Sequence, residues 1–278
     1  MTLAVFTLLV AMGSFAAGLL GALTGLGGGI IVVPMLTLLF GVDLRYAVGA
    51  SLVSIIATSS GAAAAYVREG FTNVRIGIFL EVGTTIGALV GAAVSGLIPT
   101  SALAVLFGCV LLYTAYRSFQ TPEDHPTDAP PHPWAVRLRL NGTYPAASGP
   151  RAYTVHGVPG GLGIMFLAGI LSALLGIGSG VVKVLAMDRM MKLPFKVSTT
   201  TSNFMIGVTA AASAGVYLHR GYVDPVIAFP VMLGVLGGAL VGARILAVVK
   251  ARPLRLVFLT VVIVMAAQML YRGFTGGL

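Results

Sequence analysis

The sequence contains a glycine-rich segment twice, and this duplication limits the folds open to the chain. Residues 25–34 read GLGGGIIVVP, and residues 176–184 read GIGSGVVKV. Aligning each residue n with residue n+151 over residues 18–92 needs no gap and gives 22 identities in 75 pairs. Such internal similarity indicates two copies of one structural unit. Any fold for this chain must therefore arrange two related halves.

Composition places both halves in a membrane. The chain is 57% hydrophobic and 9% charged, whereas soluble domains carry about 25% charged residues. Apolar runs of about 20 residues, rich in Gly, Ala and Val, are typical of closely packed transmembrane helices. We therefore expect an all-α polytopic membrane protein whose helices are broken at the glycine segments.

Several classes of function are disfavoured by the sequence. The net charge of +9 does not indicate a nucleic-acid partner, because the Lys and Arg residues are spread over short loops without a basic run. The glycine segments lack the Gly-Lys-Ser/Thr ending of a phosphate-binding loop. The four His residues lack metal-ligand spacing, and no nucleophile and base pair is legible. We expect no enzyme activity, no cofactor and no bound metal.

Hydropathy predicts five membrane segments in each half. The Pro-rich residues 120–157 form a polar linker between an N-terminal repeat, residues 1–119, and a C-terminal repeat, residues 158–278. The predicted segments cover residues 3–23, 30–40, 46–66, 74–97 and 101–118, then 158–175, 180–191, 197–218, 225–248 and 253–272.

The short second segment of each half decides the topology. About 11 helical residues rise about 16 Å, half of a hydrocarbon core. If both short segments cross, one side collects 13 of the 16 loop Lys and Arg, and if both fold back, the 16 divide equally. Positive loops face the cytoplasm, so crossing is favoured over re-entrant segments. Five crossings invert the second repeat, as in many secondary transporters, with a cytoplasmic linker and both termini periplasmic.

The glycine segments are the first candidate site. Glycines let a helix unwind where its backbone lines a cavity, and the following half-helix offers free N–H groups and a positive dipole end. Two such ends near the membrane midplane form an anion site. The alternative is that the glycines only permit tight helix packing. The candidate residues are Gly25, Gly27, Gly28 and Gly29 in the first segment, and Gly178, Ser179 and Gly180 in the second.

Two charged residues lie within apolar segments. Lys183 follows Gly180 by three residues, where the first copy has Val32. An intramembrane ammonium costs at least about 3 kcal/mol, so we expect it to face an anionic ligand or a carboxylate. A lysine that snorkels to the cytoplasmic surface is the alternative. Glu81, which corresponds to Met232 in the second copy, is able to pair with Lys183, to carry a proton or to serve structure alone.

Polar uncharged side chains open the third segment of each half. Ser51, Thr201, Ser202 and Asn203 are able to replace part of an oxyanion's hydration shell without adding charge. Ser51 and Ser202 occupy the same repeat position, which favours this pair. Hydrogen bonding between helices is the alternative role.

The two copies resemble a known family. Residues 18–66, GLLGALTGLGGGIIVVPMLTLLFGVDLRYAVGASLVSIIATSSGAAAAY, and the weaker SNFMIGVTAAASAGVY at residues 202–217 look like the sulfite exporter TauE/SafE family of bacterial inner-membrane proteins. The resemblance covers residues 3–118 and 158–272, and it implies transport of sulfite or small organosulfonates, usually outward. Ser179 replaces a glycine and Leu185 the proline in the second copy, so the two half-sites are not equivalent. The family's glycine signature maps onto Gly25, Gly27, Gly28, Gly29 and Pro34.

The candidate site predicts a secondary transporter of an anion that works by alternating access, and the resemblance implies that it exports a small sulfur oxyanion, sulfite or an organosulfonate, across the bacterial inner membrane. The anion is expected to bind between the two glycine segments. Two alternatives stay open: a proton-coupled importer of a sulfur anion that uses Glu81, and a non-transporting membrane partner or sensor. The expected partners are the anionic substrate and the lipid bilayer, and a homodimer is left open.

Overall fold

The computed structural model describes residues 2–24, 28–68, 70–119, 132–146, 149–246 and 251–276. These residues form eleven α-helices and one two-stranded hairpin. The first half contains α1 (Leu3–Thr24), α2 (Gly29–Leu39), α3 (Leu44–Arg68), α4 (Val74–Val94) and α5 (Thr100–Phe119). The linker contributes α6 (Pro133–Arg137), β1 (Gly142–Ala146) and β2 (Gly149–Tyr153). The second half contains α7 (Val158–Leu175), α8 (Gly180–Leu185), α9 (Phe195–His219), α10 (Pro225–Leu246) and α11 (Ala251–Thr275).

The helices agree with the predicted membrane segments to within a few residues at most ends. Among the described helices, α1, α4, α5, α7, α10 and α11 are long and apolar enough to cross a membrane. The short segments are also present: α2 has 11 residues, and α8 continues into a π-helical stretch over Ala186–Met190. The expectation of a mostly helical, multi-span membrane protein is confirmed.

The long helices pack in two equivalent pairs, α1 on α10 and α4 on α7. A Cβ placed on Gly87 of α4 would lie 2.0 Å from the carbonyl oxygen of Phe166 in α7. A Cβ on Gly238 of α10 would lie 2.0 Å from the carbonyl oxygen of Phe15 in α1. Gly238 lies 151 positions after Gly87, and Phe166 lies 151 positions after Phe15. The duplicated glycines thus let backbones touch at the same place in both copies.

The directions of the helices follow from their contacts. Hydrogen bonds between α4 and α9 join residues 128 positions apart along the whole interface, so these helices run parallel. They join Asn73 to Thr201, Glu81 to Thr209 and Ala92 to Arg220. Glycine contacts make α4 parallel to α7 as well, because they pair Gly83 with Leu162 and Gly91 with Ile170. Since α7 and α9 share one direction, α8 and the π-helical stretch carry the chain back between them.

Two pairs of helices that correspond between the halves, α3 with α9 and α5 with α11, contact each other in antiparallel directions. The start of α3 contacts the residues after α9, where the rings of Tyr46 and Tyr222 lie 5.7 Å apart. Further along, a Cβ on Gly207 of α9 would meet the Ser59 hydroxyl of α3. The same holds for α5 and α11, because Gly108 meets Leu270 while Gly273 meets the carbonyl oxygen of Ser101.

Part of the linker is folded, where the sequence predicted only a polar connection. Residues 132–146 and 149–157, here called the cap, comprise α6, the antiparallel hairpin and the residues that lead into α7. Its buried side chains, including Ala135, Leu140 and Val155, share an apolar cluster with residues of α4, α7 and α9 such as Leu80. The hairpin also makes the fold mostly, rather than wholly, helical.

Candidate functional site

The described parts of the two glycine segments touch each other, and Gly28, Gly29 and Gly176 are buried there. A Cβ on Gly29, the first residue of α2, would lie 3.0 Å from the carbonyl oxygen of Gly176, which ends α7. The Ser51 hydroxyl donates to the same carbonyl oxygen at 2.7 Å. Gly28 also packs tightly, because its Cβ would lie 2.8 Å from Val235 of α10. Gly25 and Gly27 lie outside the described residues.

The second segment leaves helical geometry between α7 and α8. Gly176, Gly178 and Ser179 have φ angles of 63°, 70° and 49°, in the left-handed region that disfavours residues with a Cβ. Ser179 therefore holds a strained conformation in place of the glycine of the first copy, where Gly28 has φ of −70°. Its Oγ is buried and has no hydrogen-bond partner among the described residues.

Lys183 lies one turn into α8 and is fully buried. Its Nζ donates to the Thr209 hydroxyl at 2.5 Å and lies 3.8 Å from Glu81 Oε2. The Thr209 hydroxyl donates to Glu81 Oε1 at 2.6 Å. Lys183, Thr209 and Glu81, here called the triad, therefore join α8, α9 and α4. Of the roles considered for Glu81, the pairing with Lys183 is present, and a snorkelling Lys183 is wrong because no part of it reaches the surface.

The geometry of the triad follows from its electrostatics. A buried ammonium or carboxylate is tolerated only when it is paired and hydrogen-bonded. A threonine hydroxyl has one hydrogen, so Thr209 accepts from the ammonium and donates to the carboxylate. Thr85 adds a donor to Glu81 Oε1 at 3.3 Å. Glu81 Oε2 makes no hydrogen bond within the described residues, so it retains capacity to accept one.

The triad draws on both halves, with Glu81 from the first and Lys183 and Thr209 from the second, and the repeat does not duplicate it. The residues 151 positions before Lys183 and Thr209 are Val32 and Thr58. Thr58 matches Thr209 in the internal alignment, but the partners of its hydroxyl in the described part of the chain are only the carbonyl oxygens of Ser54 and Ile55. Sequence reasoning missed Thr209, although its identity with Thr58 in the internal alignment was a signal for it.

The remaining predicted residues differ in how close they lie to the triad and to the contact between the glycine segments. Ser202 lies near, since its hydroxyl bonds the Gly180 carbonyl oxygen at 3.3 Å. Thr201 lies at the N-terminus of α4, because its hydroxyl accepts the backbone N–H of Asn73 at 3.1 Å. Asn203 is partly exposed on α9. The structure thus brings together most of the candidates, and it does not bring Thr201 to the triad. The group around the triad and the segment contact comprises Gly28, Gly29, Ser51, Gly178, Ser179, Gly180, Lys183, Ser202 and Glu81.

Comparisons with known proteins agree with the resemblance seen in the sequence. A family model described as sulfite exporter TauE/SafE matches residues 10–269. The chain is 29% identical over 275 residues to the probable membrane transporter protein YunE of Bacillus subtilis, covering 96% of this chain and 98% of the relative. It is 29% identical over 242 residues to the probable membrane transporter protein YdhB of the same organism, covering 85% and 89%. A probable membrane transporter protein of Xylella fastidiosa is 24% identical over 275 residues, 96% of each chain. No solved structure matches.

Proposed function

The chain belongs to the sulfite exporter TauE/SafE family, a membrane transporter family, and we propose that it exports a small sulfur oxyanion by alternating access. The proposed substrates are sulfite and organosulfonates. The observation that carries the proposal is a fully buried ammonium, Lys183, one turn from the meeting point of the two glycine segments. Intramembrane ionisable groups of this kind mark substrate pathways.

The residues around Lys183 suit an oxyanion. The ammonium supplies a positive charge, and the Ser179 hydroxyl, which has no hydrogen-bond partner within the described residues, supplies a donor. The first residues of α2 and α8 add backbone N–H groups without an intrahelical acceptor. Glu81 already acts as the counter-charge of Lys183. A substrate anion that takes over this role leaves Glu81 free to move away or to bind a proton. Because Thr209 bonds both groups, it couples the two events.

An inverted repeat underlies the proposed transport cycle. A two-fold axis in the membrane plane makes counterpart helices antiparallel, whereas an axis along the membrane normal keeps them parallel. The antiparallel courses of α3 with α9 and of α5 with α11 support the first arrangement. The shared direction of α7 and α9 supports full crossing by the short segments. In this proposal the tight pairs α1–α10 and α4–α7 move as units about the α3–α9 contact.

We propose that the cap faces the cytoplasm of a bacterial inner membrane and that both termini are periplasmic. At the end of the bundle away from the cap, Arg45 donates to the carbonyl oxygens of Gly96 and Ile98. Arg220 donates to the carbonyl oxygen of Ala92 at the same end. The cap end has more basic loop residues, which supports this orientation. Export of one negative charge from a negative cytoplasm releases about 2.3 kcal/mol per 100 mV, so it requires no ATP.

Flux measurements in vesicles test the proposal. The purified chain is reconstituted, vesicles are loaded with sulfite, and efflux is followed under an inside-negative potential. We expect the wild type and Lys196→Met, which removes an exposed lysine, to release sulfite. We expect Lys183→Met and the charge-balanced Lys183→Met/Glu81→Gln variant to lose this flux. The double variant guards against misfolding caused by an unpaired Glu81, and full flux in a folded double variant would refute the site.

A proton-coupled importer is the second candidate, and the burial of Glu81 beside Lys183 favours it. In this case an inward proton gradient drives accumulation of the sulfur anion, and Glu81→Gln abolishes the effect of the gradient. If Glu81 only moves away during export and binds no proton, the proton gradient has no effect, because flux then follows the membrane potential and the anion gradient alone.

A further inference from the structure

The cap contains an exposed apolar and basic surface that the transport proposal does not use. In α6 and the residue after it, Trp134, Val136 and Leu138 are 48%, 55% and 42% exposed, whereas Ala135 is buried. Arg137 and Arg139 are exposed beside them. We propose that this surface, residues 134–139, lies in the headgroup region of the bilayer and binds anionic phospholipid.

The attachment of this surface to α4 fixes its depth. The Asn73 side chain caps α4 by accepting the Ile76 N–H at 3.1 Å, and its Nδ2 donates to the Leu140 carbonyl oxygen at 2.9 Å. Arg75 donates to the Arg139 carbonyl oxygen at 3.5 Å. Residues 139 and 140 therefore lie level with the first turn of a membrane-spanning helix, which is the level of the interface.

The surface also lies on the lipid side of α4. Ile78, Val82 and Ile86 are more than half exposed, and their spacing of four places them on one helix face. Large exposed apolar residues on a spanning helix face lipid tails. Arg75 precedes Ile78 by three residues and so lies on the same face. Because Arg75 reaches the carbonyl oxygen of Arg139, residues 134–139 overhang the lipid rather than the centre of the bundle.

The chemistry of the surface fits an anionic membrane. Tryptophan is enriched at headgroup depth because its ring is amphipathic. Residues 132–157 contain three arginines and no acidic residue, and a basic residue near an anionic leaflet strengthens association about fivefold. This site does not involve Lys183, so its test is independent of the test of the proposed transport.

Trp134 is the single tryptophan of the chain and reports on the site directly. The full chain is reconstituted in phosphatidylcholine vesicles with and without phosphatidylglycerol, with acyl chains brominated near the headgroup, and Trp134→Phe gives the background signal. We expect blue-shifted Trp134 emission that brominated lipid quenches and aqueous acrylamide does not. We also expect stronger quenching when phosphatidylglycerol is present.

Paired variants test the role of charge. Arg137→Gln/Arg139→Gln is expected to lose the extra quenching in phosphatidylglycerol, and Arg137→Lys/Arg139→Lys to keep it. Emission of a water-exposed tryptophan, quenched by acrylamide in both lipids, would overturn the proposal and favour a cytosolic partner for this surface. The binding of anionic headgroups would be overturned if brominated lipid quenched Trp134 equally with and without phosphatidylglycerol, and equally in the wild type and the Arg137→Gln/Arg139→Gln variant.

Discussion

The Thr209 hydroxyl offers a sharp test of the triad, because the chain contains its own control. Thr209→Val removes the group that accepts from Lys183 and donates to Glu81 while keeping the side chain's shape. Thr58→Val makes the same change at the equivalent repeat position. Among the described residues, the Thr58 hydroxyl bonds only backbone carbonyl oxygens of its own helix. The Met205 carbonyl oxygen lies 3.1 Å from the Thr209 hydroxyl and competes with Glu81 for its one hydrogen.

The expected effects differ in size. Hydrogen bonds to charged groups contribute about 1.5–3 kcal/mol each, but Lys183 and Glu81 remain close enough to recover part of this attraction. We expect Thr209→Val to lower the free energy of unfolding by about 2–3 kcal/mol, following the same magnitudes. Thr58→Val should cost less than about 0.6 kcal/mol, an average value for hydrogen bonds within membrane proteins.

Thermal unfolding in detergent, followed by circular dichroism at one scan rate, measures the difference. A change of 1 kcal/mol shifts Tm by about 2–4 °C in a chain of roughly this size, so Thr209→Val should lower Tm by at least about 4 °C. Thr58→Val should lower it by about 2 °C or less, by the same conversion. Equal shifts in the two variants would show that Thr209 contributes no more than its local backbone bond, and the triad would lose its assigned role.

Three further predictions concern the glycine contact and the cap. Gly29→Ala forces a Cβ to within 3.0 Å of the Gly176 carbonyl oxygen and should cost about 1–3 kcal/mol of stability, together with flux. Gly163→Ala, with no atom within 4 Å of its Cβ, should leave both unchanged or slightly raise Tm. Ser51→Ala removes the donor to that carbonyl oxygen and should lower the free energy of unfolding by about 1–3 kcal/mol. Burial and the nearby Lys192 charge lower the pKa of His156 below its ordinary value, so Tm should fall as the pH drops below about 6.5, where the unfolded chain takes up the proton. His156→Gln should flatten this dependence.

The membrane helices were predictable because their signal is local. Runs of apolar residues and glycine or proline punctuation gave bounds close to those of α1 and α4. The sequence also predicted that the two glycine segments meet, because the duplication implies a two-fold arrangement of the two copies, and Gly29 does contact Gly176. Both inferences rest on periodicity and repetition, which the sequence displays directly.

The parts that were missed depend on contacts between distant segments. Thr209 lies 128 positions from Glu81, and threonines within membrane helices most often bond their own backbone, so nothing local distinguished it. The cap is polar and Pro-rich, and it is ordered through Asn73 and a shared apolar cluster under Leu140. Thr201 was grouped with the site by residue type, but its position on α9 directs it to the N-terminus of α4.

The most direct test of the central claim is a structure of the reconstituted chain determined with sulfite bound. The account predicts the anion within hydrogen-bonding distance, about 3 Å, of Lys183 Nζ and of the Ser179 hydroxyl, between the two glycine segments. It also predicts that Glu81 withdraws from Lys183 when the anion is present. Sulfite bound elsewhere, for example at Arg45 and Arg220, with the Lys183–Thr209–Glu81 contacts unchanged, would contradict it.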